Sequence, residues 1–156
     1  NEGTVKTTKE IIAPKKIMNF PNMHILLAED NLVNQSVEKR MLTLLGCDVK
    51  VVGDGKAALD ALANDSFDLV LMDCQMPVMD GYAATMYIRE KELQKNTLLK
   101  NGEKPCHVPI IAVTAHTRSE EREICFAAGM DDFLSKPINM DVLKSALEKW
   151  LSQKSV

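Results

Sequence analysis

Leu69-Val70-Leu71-Met72 is an uninterrupted apolar run that stops on a carboxylate, Asp73, and gives way to the turn-forming stretch Gln75-Met76-Pro77. A run this short, bounded by turn residues, reads as a strand buried on both faces, because a half-exposed strand alternates and a buried helix is longer. It delivers an acid to the carboxyl end of a core strand, and in open parallel sheets that end is the rim where ligands bind. Two other runs repeat the arrangement. His24-Ile25-Leu26-Leu27-Ala28 ends on Glu29 and Asp30, and Pro109-Ile110-Ile111-Ala112-Val113-Thr114 ends on a hydroxyl.

Helical patterns fill the intervals. Asn31 is a cap for a helix in which Leu32, Val33, Val37, Met41, Leu42, Leu44 and Leu45 recur at helical spacing and Gly46 supplies the stop. Residues 47–52 form a second strand, after which Asp54-Gly55 opens a helix carrying Ala58, Leu59 and Leu62 that Asn64-Asp65 breaks. Asp80 or Gly81 begins the third helix, which runs to about Lys95, and the polar stretch 91–107 predicts a long exposed loop. Ser119 is the expected cap of a fourth helix that ends at Gly129; its acidic first turn, Glu120 to Glu123, is a solvated face. Asp132-Phe133-Leu134 is a short fifth strand, and Asp141 starts a last helix with Val142, Leu143, Ala146, Leu147 and Leu151 facing inward. Strict alternation of apolar strands and helices predicts a parallel sheet covered on both faces.

With 156 residues the chain is long enough for one domain with a proper core. Its 46% hydrophobic content includes only 4% aromatics, so the core is aliphatic. A net charge of −3 gives no electrostatic reason to expect nucleic acid or anionic lipid as a partner. The charge is uneven, because residues 1–22 carry Lys6, Lys9, Lys15 and Lys16 against Glu2 and Glu10, leaving −5 on the remainder. That opening segment, polar and interrupted by Pro14 and Pro21, reads as a linker or disordered tail with at most a short ordered piece around Ile11 and Ile12. The domain is expected over 23–152, followed by a tail over 153–156. Cys47, Cys74, Cys106 and Cys125 show neither zinc-ligand spacing nor a disulfide framework, which fits a reduced cytosolic setting. No stretch approaches 18 uninterrupted apolar residues and no signal-peptide pattern is present; the start at Asn1 rather than Met points to a fragment of something longer.

The strand ends gather Glu29, Asp30, Asp73, Thr114 and Lys136 at one rim. Three crowded carboxylates raise at least one pKa unless a divalent cation is bound, and Mg²⁺ suits oxygen ligands that leave room for water and a phosphate. Thr114 offers a hydroxyl and Lys136 a compact positive charge, each suited to a phosphoryl oxygen. Phosphoryl transfer to a carboxylate needs that combination, so Asp73 is the candidate nucleophile. Taken singly, each residue has a bland reading: Asp73 as a loop acid, Glu29 and Asp30 as acids before a helix, Thr114 as a strand residue, Lys136 as a solvated lysine. Their joint placement reverses that judgement.

The residues Leu27-Ala28-Glu29-Asp30-Asn31 with Asn34, Asp73-Cys74-Gln75-Met76-Pro77-Val78-Met79-Asp80-Gly81, Ile111-Ala112-Val113-Thr114-Ala115 and Gly129-Met130-Asp131-Asp132-Phe133-Leu134-Ser135-Lys136-Pro137 resemble the receiver (response-regulator) domain of two-component signalling, most closely the receivers of hybrid sensor histidine kinases. The resemblance covers roughly 23–152. It implies a flavodoxin-like (βα)5 doubly wound sheet of five parallel strands in order 2-1-3-4-5. It further implies that Asp73 accepts a phosphoryl group; that Asp30, Asp73 and the backbone carbonyl of Gln75 bind Mg²⁺ or Mn²⁺, with Glu29 assisting through water; and that Thr114 and Lys136 hold phosphoryl oxygens. Thr114 and Phe133 stand at the family's switch positions, Gln75 and His116 where phosphate hydrolysis is tuned, and Lys136-Pro137 matches a peptide bond often cis there, aiming the lysine.

The implied function is a phosphorelay step: Asp73 takes the group from the phosphohistidine of a histidine kinase, of the same polypeptide or its dimer mate, and passes it to a histidine phosphotransfer protein. No kinase catalytic domain lies in this segment, which acts only in promoting its own phosphorylation and dephosphorylation. The domain is expected in the cytoplasm without membrane contact, any anchor belonging to the parent chain. The first alternative is a receiver-shaped interaction module that is not phosphorylated, which would be expected to lack Asp73 or Lys136. A Mg²⁺-dependent phosphohydrolase wants a second acid where Gln75 stands, and dinucleotide binding wants a glycine-rich motif after the first strand; this sequence has neither. Val33 and Val37 are candidates for a partner surface, with a core role as the other reading.

Overall fold

The computed structural model describes residues 19–116 and 118–152, so the expected linker lies almost entirely outside the described residues. Five strands, β1 (His24–Ala28), β2 (Asp48–Val52), β3 (Leu69–Asp73), β4 (Ile110–Thr114) and β5 (Asp132–Ser135), alternate with five helices, α1 (Leu32–Leu44), α2 (Gly55–Asn64), α3 (Gly81–Asn96), α4 (Ser119–Ala128) and α5 (Met140–Leu151). The strands form one parallel sheet in the order β2-β1-β3-β4-β5. This is the flavodoxin-like receiver topology expected from the sequence.

Side-chain alternation along the central strands builds two cores. Ile25, Leu27, Leu69, Leu71, Ile111 and Val113 point into one with Leu42, Leu143 and Leu147, while Leu26, Ala28, Val70, Met72, Ile110 and Ala112 point into the other with Ala58, Ala84 and Cys125. The central strands β3 and β4 are buried along their whole length, which is why they read as continuous apolar runs. Edge strand β2 exposes Asp48 and Lys50, a charged edge that discourages pairing with another chain.

Several boundaries differ from the expectation. Phe20, on the linker side of the start expected near Met23, is buried in the first core, and its N–H donates to the Leu45 carbonyl at 3.0 Å. An aromatic beside a linker proline had too little context to be read as core. Ser119 is the first residue of α4 rather than its cap; Arg118 holds the cap position without a side-chain hydrogen bond. The last helix is capped by Asn139, whose side chain accepts from the Val142 N–H, so it starts at Met140. Val142 is exposed rather than inward, as are Leu32, Val33 and Val37 on α1.

The stretch after α3 is a loop, anchored at its ends. Asn96 both accepts from the Cys106 N–H at 2.7 Å and donates to the Cys106 carbonyl at 3.1 Å. Arg89 ties α3 to the entrance of β4 and β5, donating to the Gly129 and Val108 carbonyls and pairing with Glu92 and Asp131. These contacts fix the sheet at the end opposite the acidic rim.

Candidate functional site

The register sets which residues meet at the rim. Ala28 lies beside Met72, so Glu29 and Asp73 leave their strands at the same level; Asp73 pairs with Val113, and Thr114 with Ser135, so Lys136 follows one step beyond Thr114. The result is a cavity of about 250 Å³ whose walls include Glu29, Asp30, Asp73, Gln75, Thr114 and Lys136. All five side chains collected from the strand ends line it.

Loop chemistry holds the acids in place. Asn31 caps α1 by accepting from the Val33 and Asn34 N–H groups, at 3.0 and 3.1 Å. That cap orients the first turn so that the Asn34 amide donates to Glu29 Oε1 at 3.1 Å and the Gln35 amide to the Glu29 carbonyl at 2.6 Å. After β3, the Met79 N–H closes on the Pro77 carbonyl around Val78, which sits at φ 69° in a strained γ-turn. Met79 can then accept from the Gly55 N–H at 2.9 Å, and Gly81 can bring its N–H to the Cys74 carbonyl at 3.1 Å. Gly81 passes so close to Asp73 that a Cβ there would fall inside contact distance of the Asp73 carbonyl oxygen. Glycine is required by that approach.

Lys136 Nζ bridges Glu29 Oε2 and Asp73 Oδ2, at 3.0 and 3.1 Å. The other Asp73 oxygen accepts from the Gln75 N–H at 3.2 Å. The peptide bond between Lys136 and Pro137 is cis. Burial pushes the Asp73 carboxyl up to about 6; the Gln75 N–H and Lys136 oppose the rise, and Glu29 adds to it. Repulsion between carboxylates is thus the smaller cause, and burial the larger. For Glu29 burial also pushes upward, but hydrogen bonds from Asn34 and Lys136 win and hold it below the ordinary carboxylate range. Burial pulls Lys136 downward; the two carboxylates outweigh it, and its pKa is raised.

Glu29, Asp30 and Asp73 each offer an oxygen, and these atoms lie within 4.8 Å of one another. An all-oxygen set around a partly solvated cavity fits a hard divalent ion that keeps waters, and does not fit a soft one. Asp30 and Gln75 are exposed at the mouth, Glu29 and Asp73 buried at the base.

The remaining expected residues stand differently. The Thr114 hydroxyl lines the cavity but is engaged in its own turn, accepting from the His116 N–H at 3.1 Å and donating to its carbonyl at 3.2 Å. Phe133 is half-buried outside the cavity, edge-on to Phe126 and beneath the Arg122 guanidinium, 4.6 Å from its ring centre. His116 is exposed just past the rim. Cys74 is buried as expected, with its thiol pushed by burial up to about 12. Gln35, which secures Glu29, carries no distinct signal in the sequence, because an amide in the first turn of a helix is unremarkable there.

A family model described as response regulator receiver domain matches residues 25–148. The chain is 40% identical over 131 residues to hybrid signal transduction histidine kinase B of Dictyostelium discoideum, a match covering 82% of this chain and 7% of that protein. It spans between 7% and 16% of the length of such curated relatives. Among solved structures, the receiver domain of sensor histidine kinase PA1611 from Pseudomonas aeruginosa PAO1, which has a magnesium ion coordinated in its active-site cleft, matches with TM-score 0.71 and 41% identity over 84% of this chain and 98% of that one. A co-crystal structure of the Saccharomyces cerevisiae histidine phosphotransfer protein Ypd1 with the receiver domain of Ssk1 matches with TM-score 0.79 and 28% identity, covering 88% of this chain and 94% of the matched one.

Proposed function

The chain belongs to the response regulator receiver domain family, and on that premise we propose that it is the phosphoacceptor module of a phosphorelay, with Asp73 as the nucleophile. The observation that carries the reading is Asp73 itself, a buried carboxylate at the base of an open cavity, bridged by an ammonium and flanked by two further acids. A buried acid with one oxygen toward Lys136 and the other toward the Gln75 N–H is held in a fixed orientation for attack.

In the proposed reaction an Asp73 oxygen attacks phosphorus, the P–N bond of a phosphohistidine breaks, and its electron pair returns to the imidazole. The histidine leaves as neutral imidazole, its one N–H proton being the one that the ring's other nitrogen carries in the phosphohistidine or one taken from water at the nitrogen that phosphorus leaves. Lys136 meets the negative charge on the phosphoryl oxygens, and Thr114 does so once its hydroxyl leaves the His116 turn. Asp30, Asp73 and the Gln75 carbonyl would hold Mg²⁺ or Mn²⁺, with Glu29 acting through water; the ion neutralises charge on the transferring group. Phe133 would follow Thr114 as the switch residue, and Gln75, exposed at the mouth, with His116, exposed just past the rim, would set access of the hydrolysing water.

The donor is a histidine kinase domain and the onward acceptor a histidine phosphotransfer protein, as the Ypd1 complex with a related receiver supports. A cytoplasmic site of action follows from those partners; among the described residues no helix is long and apolar enough to cross a membrane. The test is incubation with acetyl phosphate, with and without Mg²⁺, read by intact mass beside Asp73→Asn. One added phosphoryl group that requires both the metal and Asp73 supports the reading. No adduct from acetyl phosphate or a phosphorylated kinase, and no beryllofluoride complex, would leave the interaction module in its place.

A further inference from the structure

A second groove, of about 370 Å³, opens beside the phosphoacceptor cavity between α1 and the β5–α5 turn, lined by Asn34, Val37, Glu38, Lys136, Pro137 and Ile138. Asn34 and Lys136 line both spaces, so a macromolecule that brings a histidine to Asp73 also covers this groove. One feature of its wall is unfavourable in the isolated domain. Glu38 is only 5% exposed, and its Oε2 is enclosed without a hydrogen-bond partner among the described residues. A buried carboxylate in that state costs free energy until a donor reaches it. Lys136 is the cation that faces it, but its ammonium is committed to Glu29 and Asp73.

Resting on the phosphoacceptor reading, we propose that this groove receives an arginine side chain of the histidine-bearing partner, with Glu38 as the carboxylate that selects it. Charge complementarity supplies the sign. Among the described residues, the charged groups that act on Glu38 are the acids Glu29 and Asp73 and one cation, Lys136; burial and, after it, the two acids push its carboxyl up to about 7 against the pull of Lys136, so an incoming cation relieves a site poor in positive charge. Guanidinium is favoured over ammonium because the walls from Val37, Pro137 and Ile138 are apolar, and the planar fork is weakly hydrated and pairs with a carboxylate through two parallel bonds. Leu32 and Val33, exposed on the first turn of α1, extend the apolar surface on which the rest of the partner lies. Glu38 thereby acts as a specificity residue for docking, at some distance from the transferred group.

The probe is n-propylguanidinium, titrated into the ¹⁵N-labelled domain at pH 8, where Glu38 is ionised. The expected result is a saturable shift of amide signals confined to Asn34, Val37, Glu38, Lys136 and Ile138, weakened about tenfold or more in Glu38→Gln and in Glu38→Met. Absence of saturation, an equal response in a folded variant, or an equal response to n-propylammonium overturns the assignment. Labelling of Asp73 by acetyl phosphate is measured in the same samples: labelling without a guanidinium response removes only the arginine site, and absence of labelling in the unaltered domain removes the phosphoacceptor reading on which it rests.

Discussion

Glu38 makes the stability of this domain depend on pH in a direction that can be worked out. Burial pushes its carboxyl from an ordinary 4.5 up to about 7, with Glu29 adding to the rise, Lys136 opposing it and Asp73 contributing least. Between those two values the folded chain keeps a proton that the unfolded chain has released, so stability falls as pH rises. At 1.36 kcal/mol per pH unit, roughly 2.5 units amount to about 3 kcal/mol lost between pH 4.5 and 8. Asp73, raised to about 6, adds a decline of the same sign, but it is present in any Glu38 variant. Glu38→Gln carries no titrating proton, and any cost of its amide is the same at every pH. Urea unfolding of both proteins from pH 4.5 to 8 isolates the effect as the change in their stability difference. The variant is expected to gain about 3 kcal/mol on the native protein across that range, and curves that stay parallel to within about 0.5 kcal/mol would refute the reasoning.

Two further changes probe the rim. Gly81→Ala places a methyl group against the Asp73 carbonyl oxygen and Met72, so it should cost about 2–3 kcal/mol in urea unfolding and slow acetyl phosphate labelling by displacing Asp73; unchanged stability would mean the loop gives way freely. Lys136→Met leaves Glu29 and Asp73 buried without their shared cation, so it should destabilise by about 3 kcal/mol at pH 8 and by less at pH 5, where Asp73 takes up its proton. An equal loss at both pH values would assign the lysine a packing role instead.

The central strands and the acidic rim were legible because their signals are local. Leu69 to Met72 and Ile110 to Val113 are continuous apolar runs for the same reason that they are buried on both faces, and strict alternation with helices left one topology class. The residues that line the cavity follow once strand ends are aligned, and sequence order supplies that alignment. What escaped depends on contacts between distant segments. Phe20 looks like linker until Leu45 offers its carbonyl. Val33, Val37 and Val142 keep helical spacing, yet they lie at the margin of the stripe that the sheet covers, and spacing does not say where that margin falls. Glu38 reads as an ordinary solvated acid because glutamate is rarely buried, and only the packing of α1 over the strand ends reveals otherwise. Asn139 displaced Asp141 as the start of α5 because either side chain serves as a cap and the chain path decides between them.

The central claim is that Asp73 carries the phosphoryl group, and the most direct test is to locate it chemically. After incubation with acetyl phosphate and Mg²⁺, borohydride reduction converts an aspartyl phosphate to homoserine, which peptide mass spectrometry places in the sequence. The account predicts homoserine at position 73, dependent on Mg²⁺. Homoserine at another acid, or at position 73 to the same extent without the metal, would contradict it.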